Sequence, residues 1–553
     1  MRVLEAARAW LAEDPDPETR AELGDALERG DLALLTEWFG ARLEFGTAGM
    51  RAALGPGPNR MNRAWVHRVT AGLAAVLEGP GPVVVGYDGR RGSAPFAADA
   101  AAVLLGAGRE VYLFDRVCPT PELAHAVVAL GAVGGVMVTA SHNPPGDNGY
   151  KVYARNGAQI IPPLDGLISA AIDRVGPLAG IRRGDLAGVT PVPPGIRAAY
   201  VAQVLALRVH PGGPTPTAVY TAMHGVGSDL LGVLFAAAGR AGGLVPVPEQ
   251  AEPDGRFPTV SFPNPEEPGA LDLALKLASE RGAAVVLAND PDADRLAVAV
   301  PYEGGWRPLT GNQVGCLLAE DLLAHGPHDR RQLVATTIVS SRLLARIAAY
   351  HGAEYAETLT GFKWIANTAI PFDASGGAFV LGFEEALGIS AGSVVRDKDG
   401  ISAALLILDL VAHLALRGET LIDALVRLYR LHGLHQSGQR SMTFPGRAGQ
   451  DRIAAISAQL RRDPPSHLGG VAVATIRDLL APGSPFPPSD VLAFDLADGS
   501  VVLVRPSGTE PKIKLYFEVR ESMADLSLAA AEARAVARLA ALQSDLATHL
   551  GTN

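Results

Sequence analysis

Short apolar runs alternate with longer segments of helical period along most of the chain. The pattern predicts a helix from about Asn62 to Leu77. The run Pro82-Val83-Val84-Val85-Gly86 then reads as a strand ending in the polar turn Tyr87-Asp88-Gly89-Arg90-Arg91. Next come a helix over 94–105, a strand over 110–114 and a helix over 121–130. A strand from Gly134 to Val138 then delivers Ser141 onto a stretch dense in turn residues, Asn143-Pro144-Pro145-Gly146-Asp147-Asn148-Gly149. Strand-helix alternation of this kind builds α/β domains, which bind ligands outside the carboxyl ends of their strands.

The alternation restarts twice. One restart is at Ala218-Val219-Tyr220-Thr221. The other, near Gly311, runs through Leu333–Val339 and Ala378–Leu381 to a long apolar helix over 401–417. Upstream, residues 5–39 read as two amphipathic helices around Pro15-Asp16-Pro17, with Asp31 capping the second. Beyond Gly433 the pattern changes to longer strands with flanking helices. The expected fold class is α/β: three similar α/β domains with mixed sheets and a smaller C-terminal α+β domain. Boundaries are expected at 1–42 (helical extension), 43–210, 211–310, 311–432 and 433–553.

At 553 residues the chain is too long for one core. Its 48 basic and 58 acidic residues give a net charge of −10, which opposes a general nucleic-acid binder and points to a small-molecule partner. Two cysteines, Cys118 and Cys316, exclude a disulfide framework and fit a reducing compartment. No apolar run reaches the roughly 18 residues of a spanning helix, so a cytoplasmic protein without membrane contact is expected.

Four strand ends carry chemistry. Ser141 is an exposed candidate nucleophile with His142 beside it. Asp290, Asp292 and Asp294, in Asn289-Asp290-Pro291-Asp292-Ala293-Asp294-Arg295, form a candidate hard-cation site. An EF-hand also begins with alternating acids, but its sixth position would be Arg295 instead of Gly and its twelfth Pro301 instead of Glu. Glu384 and Glu385 follow the strand Ala378–Leu381. Arg505-Pro506-Ser507-Gly508-Thr509-Glu510-Pro511 offers a guanidinium fork, hydroxyls and backbone N–H groups suited to a phosphate.

In this order the four loops resemble those of the α-D-phosphohexomutase superfamily, over about 45–516. Thr360-Gly361-Phe362-Lys363-Trp364-Ile365 and Phe383-Glu384-Glu385-Ala386 are most similar to the branch of type-two phosphoglucomutases and phosphopentomutases. The resemblance implies that a phosphorylated Ser141 relays a phosphoryl group between two hydroxyls of one sugar through a sugar bisphosphate. Glucose 1-phosphate and glucose 6-phosphate are the implied pair, with mannose and pentose phosphates as alternatives. It further implies Mg²⁺ on Asp290, Asp292, Asp294 and Ser141, with catalytic glucose 1,6-bisphosphate as activator. Lys151 is implied as the proton-transfer group, its pKa lowered by burial near other cations, with His142 as a second candidate. Arg51, in Phe45-Gly46-Thr47-Ala48-Gly49-Met50-Arg51, is implied as a contact to the phosphoserine. Substrate contacts are implied for Arg295, Lys363, Glu384, Glu385, Lys398, Arg505, Ser507, Gly508 and Thr509. On this reading 43–210 carries the phosphoserine, 211–310 the metal, 311–432 the sugar contacts and 433–553 the distal phosphate. The protein would be a monomer or homodimer. Ala386 departs from the serine of the better-known phosphoglucomutase loop.

Three other readings use the same residues. A serine hydrolase would need a Gly-x-Ser-x-Gly elbow, which Ser141 lacks. A phosphotransferase that forms sugar bisphosphates would use the same loops but release the intermediate. A silent sugar-phosphate sensor would have no use for Ser141, Lys151 and the aspartates together.

Overall fold

The computed structural model describes residues 2–46, 49–444, 446–506 and 512–550. These divide into two compact units, 1–332 with 361–418, and 333–360 with 419–553. Ser507, Gly508 and Thr509 lie outside the described residues.

In the first unit a six-stranded mixed sheet is built from β1 (Met50–Ala53), β2 (Val83–Tyr87), β3 (Val111–Leu113), β4 (Gly134–Val138), β5 (Asp147–Ala154) and β6 (Thr190–Pro191). Their spatial order is β1-β5-β4-β2-β3-β6. β2 runs parallel to β3 and β4, whereas β5 runs antiparallel to β4 and β1. Val83, Val84 and Val85 are all fully buried, as a parallel strand covered on both faces requires. A second mixed sheet has the order β11-β10-β9-β7-β8, from β7 (Ala218–Thr221), β8 (Leu244–Pro246), β9 (Val285–Ala288), β10 (Ala297–Tyr302) and β11 (Gly305–Leu309).

In the second unit β12 (Gln332–Thr337) pairs in parallel with β13 (Glu354–Thr358). In the first, β14 (Ala378–Glu384) and β15 (Gly388–Ala391) form an antiparallel pair that sets Glu384 opposite Gly388. The C-terminal part of the second unit is antiparallel throughout. There β16 (Leu434–Thr443), β17 (His467–Leu468), β18 (Val471–Asp478), β19 (Leu492–Leu496), β20 (Val501–Pro506) and β21 (Lys512–Glu521) take the order β16-β21-β20-β19-β18-β17.

Three details differ from the sequence reading. The N-terminal segment forms three helices, not two: Arg2–Glu13, Pro17–Arg29 and Leu32–Phe39. Gly30 ends the second in the left-handed conformation (φ 65°), and Asp31 caps the third by accepting from the Leu34 N–H. Lys151 lies within strand β5 and not on a turn, because Asp147 already pairs with Ala53. Glu384 is the last residue of β14 and Arg505 the last but one of β20, so each is held by a ladder and not by a loop.

The helix Gly400–Ala415 starts against the loop that follows β9, and its first residue leaves no room for a side chain. A Cβ on Gly400 would lie 2.2 Å from the Arg295 carbonyl oxygen and 2.5 Å from Asn289 Nδ2. Gly400→Ala should therefore destabilise the protein by about 1–3 kcal/mol, the usual cost of overpacking, read from the midpoint of denaturant unfolding.

Candidate active site

Parallel strands β2 and β4 end side by side, and their next residues build a platform for Ser141. The carboxylate of Asp88, just past β2, accepts from Thr139 Oγ1 at 2.6 Å and from Ser93 Oγ at 2.6 Å. Thr139 Oγ1 in turn accepts from the Ser141 N–H at 2.8 Å. Ser141 itself adopts φ 52°, a conformation β-unbranched residues adopt only where surroundings enforce it. Arg90 does much of that enforcing: its Nη2 donates to the carbonyls of Ser141 and Asn143, both at 2.5 Å, and its Nη1 to that of Pro144 at 2.8 Å. Burial lowers the pKa of this guanidinium, opposed by Asp88.

The second sheet meets this platform. Past β9, Asn289 staples the aspartate loop: its Nδ2 donates to the Arg295 carbonyl at 2.5 Å and its Oδ1 accepts from the Tyr220 hydroxyl. Ser141 Oγ donates to Asp290 Oδ2 at 2.6 Å. Thr120, opening the helix that precedes β4, donates through Oγ1 to Asp292 Oδ2 at 2.6 Å. The three carboxylates present oxygens within 4.8 Å of one another, and all three residues are buried.

Cations balance them. Lys151 Nζ lies 2.6 Å from Asp292 Oδ2 and 3.0 Å from Asp294 Oδ2, and Lys398 Nζ lies 3.1 Å from Asp294 Oδ2. Arg295 Nε is 3.9 Å from both Asp290 and Asp294. The Lys151 pKa moves up, against the expected lowering. Burial does disfavour its charge, but Asp292 and Asp294 outweigh burial and hold the ammonium above the usual lysine range. Asp290, buried beside two other carboxylates, moves up, whereas Asp292 moves down because Lys151 overcomes its burial. His142 Nδ1 is 3.3 Å from Ser141 Oγ; burial, then Arg295 and Arg51, push its pKa down to about 2, so the ring is neutral.

Several buried polar atoms find no hydrogen-bond partner among the described residues: Asp292 Oδ1, Asp294 Oδ1, Arg51 Nε and Arg295 Nε. Two bare carboxylate oxygens beside a serine hydroxyl fit a small divalent cation that takes oxygen ligands. Two bare guanidinium nitrogens fit an anion. Arg51 is opposite Gly149 in the β1–β5 ladder, two residues from Lys151.

A third wall comes from β14 and its neighbours. Glu384 Oε1 accepts from the Gly361 N–H at 2.8 Å, and burial raises its pKa against the pull of Lys398. Arg295 bridges to Gly388, and the Leu296 N–H donates to the Leu387 carbonyl, so the aspartate loop and the Glu384–Gly388 hairpin are one assembly. Lys363, buried in the first turn of the helix Phe362–Ala374, adjoins that wall. Within the first unit the fold thus gathers Arg51, Ser141, His142, Lys151, Asp290, Asp292, Asp294, Arg295, Lys363, Glu384, Glu385 and Lys398. Arg505 belongs to the second unit, where it pairs with Lys514 on β21. Sequence reading missed Asp88, Arg90 and Thr120; the polar turn Asp88-Gly89-Arg90 after a buried strand was the available signal.

Four sequence-family models match most of the chain. Alpha/beta/alpha domains I, II and III of phosphoglucomutase/phosphomannomutase match residues 42–177, 198–304 and 310–429, and the C-terminal domain matches 458–535. The chain belongs to the α-D-phosphohexomutase superfamily. It is an enzyme of the phosphosugar mutase class. A probable phosphomannomutase of Haemophilus influenzae is 44% identical, over 83% of this chain and 93% of that protein. A phosphopentomutase of Homo sapiens is 37% identical, over 92% and 90%. A glucose 1,6-bisphosphate synthase of Homo sapiens is 36% identical, over 92% and 89%. Among the described residues, no helix is long and apolar enough to cross a membrane.

In this phosphohexomutase the serine platform depends on Arg90. Arg90→Ala would leave Asp88 buried without its ion pair and several carbonyls without donors, a loss of about 3–5 kcal/mol in chemical denaturation. Arg90→Lys should recover only part of it, because one ammonium cannot reproduce a planar fork.

Proposed function

We propose that the enzyme interconverts glucose 1-phosphate and glucose 6-phosphate through a phosphoserine at Ser141 and glucose 1,6-bisphosphate. The observation that carries this reading is Ser141 Oγ at 2.6 Å from Asp290, beside two buried carboxylate oxygens with no hydrogen-bond partner among the described residues. A nucleophile at the edge of a cation site is what phosphoryl transfer needs. Asp290, Asp292, Asp294 and an oxygen on Ser141 would hold Mg²⁺, which supplies charge neutralisation for the phosphoryl oxygens when bound.

The remaining roles rest on the chemistry of the side chains and on the family resemblance. Arg51, with its unpartnered Nε, and Arg295 steady the phosphoryl oxygens. Lys151, within hydrogen-bond reach of Asp292 and Asp294, is the proton-transfer group for the sugar hydroxyls. His142, neutral and 3.3 Å from Ser141 Oγ, orients that hydroxyl. Glu384 and Glu385 accept from adjacent sugar hydroxyls, and Lys363 and Lys398 steady the same face. Arg505, with Ser507, Gly508 and Thr509, takes the phosphate that is not reacting.

Glucose is preferred because paired carboxylates suit two neighbouring equatorial hydroxyls; taken as those on C2 and C3, the pair is broken in mannose, whose C2 hydroxyl is axial. Pentose phosphates are the second reading, supported by the human phosphopentomutase as a relative and by the stretch Gly361-Phe362-Lys363-Trp364. Synthesis of glucose 1,6-bisphosphate, the activity that names another relative, would use the same residues.

Ser141→Ala should lower mutase turnover by several powers of ten, as loss of a covalent nucleophile does. Phosphopeptide mapping of the active protein should find the phosphate on Ser141; near-native activity of Ser141→Ala would refute the relay. With Mg²⁺ and catalytic glucose 1,6-bisphosphate, kcat/KM for glucose 1-phosphate should exceed that for mannose 1-phosphate by about tenfold or more, the cost of an unmatched polar group. A preference for mannose 1-phosphate or ribose 1-phosphate would replace the substrate assignment and leave the phosphoserine standing.

A further inference from the structure

Apart from the aspartates, the first unit gathers three histidines that the phosphoryl chemistry does not use. His325 ends the helix Gly311–His325, His413 lies in the last turn of Gly400–Ala415, and His210 follows the helix Pro194–Leu205. One ring nitrogen from each comes within 4.8 Å of those of the other two. His210 and His413 are half-buried and His325 is exposed.

Asp321, one turn before His325 and 6% exposed, joins two of them. His210 Nε2 lies 2.8 Å from Asp321 Oδ1, and His325 Nδ1 lies 3.1 Å from the same oxygen. A carboxylate only accepts, so these two nitrogens carry the protons. The lone pairs therefore sit on His210 Nδ1 and His325 Nε2. A carboxylate that fixes the far nitrogen of an imidazole is the usual outer partner of a metal-bound histidine.

We propose that His210, His325 and His413 bind one divalent transition-metal ion, of which zinc is the best match, with Asp321 orienting two of the rings. Three imidazoles favour zinc, copper or nickel over magnesium, so this site and the aspartate loop select different ions. Tetrahedral zinc with bonds of about 2.0–2.1 Å sets its nitrogens roughly 3.3 Å apart. The rings must turn and draw together so that these lone pairs meet at the ion, and His413 must rotate out of its stack on His210, where the centroids are 3.8 Å apart. Two helices end at the cluster, and their terminal carbonyls favour a cation there. The exposed side at His325 leaves a fourth position for water. Bound metal would clip together segments far apart in sequence and stabilise the fold by mass action.

The test is calorimetric titration of Zn²⁺ into tag-free, metal-stripped full-length protein kept saturated with Mg²⁺. One saturable Zn²⁺ site is expected. His325→Ala and His413→Ala should each weaken it at least about tenfold, and Asp321→Asn by about 10–100-fold, the usual effect of losing an outer carboxylate. Because His325 is exposed, His325→Ala should keep the parent's circular dichroism and mutase activity. Asp292→Asn should leave Zn²⁺ binding intact. A parent with no saturable site, a site that survives both histidine substitutions, or one abolished by Asp292→Asn overturns the proposal.

Discussion

Three carboxylates buried within 4.8 Å of one another are the constraint on which the first unit depends. Left alone, they would repel and take up protons. The chain meets them with cations from distant segments: Lys151 from β5, Lys398 from the segment before the helix Gly400–Ala415, and Arg295 from their own loop. Each partner arrives on a different element, so the charge cluster forms only when the two sheets and the β14–β15 hairpin are together. That makes the site a product of assembly within the unit, and it explains why loop and strand ends are stapled so heavily around it.

The serine platform at the ends of β2 and β4 shows the same logic. A residue at φ 52° is held by hydrogen bonds running from β2, through Asp88 and Thr139, to the Ser141 N–H, and from Arg90 to the surrounding carbonyls. From that backbone the Ser141 hydroxyl donates to Asp290. Geometry of this sort costs folding energy and returns it as placement of one oxygen.

Much of this was legible in the sequence, and the reason differs by residue. Strands such as Val83–Tyr87 announce themselves because burial on both faces demands a continuous apolar run. The aspartates were legible because alternation with Pro and Ala in one short loop leaves little other use for them. Lys151 was legible as a residue but not as a charge: its pKa depends on Asp292 and Asp294, 141 and 143 positions away, and no local pattern encodes that contact. The third N-terminal helix was hidden because Gly30-Asp31 joins a stop signal to a start signal without a loop between them. Arg90 was passed over for a similar reason. A polar turn after a strand is common, and only the fold reveals that its guanidinium spans four carbonyls of another loop.

Charge balance also limits how the proposed ligands enter. Lys151, Lys398 and Arg295 already face the aspartates, so a divalent cation alone would add unmatched positive charge to the pocket and a phosphoryl dianion alone unmatched negative charge. The two together cancel. Buried charge is tolerated only in such matched sets. Cation and phosphoryl group should therefore favour each other's binding, with the coupling carried by the shared carboxylates and Arg51 and not by a change of fold. On the proposed relay Ser141 gives its phosphoryl group to the sugar and regains one from the bisphosphate, so a phosphoryl group would face the cation at every stage and the cation would have reason to remain while sugars exchange.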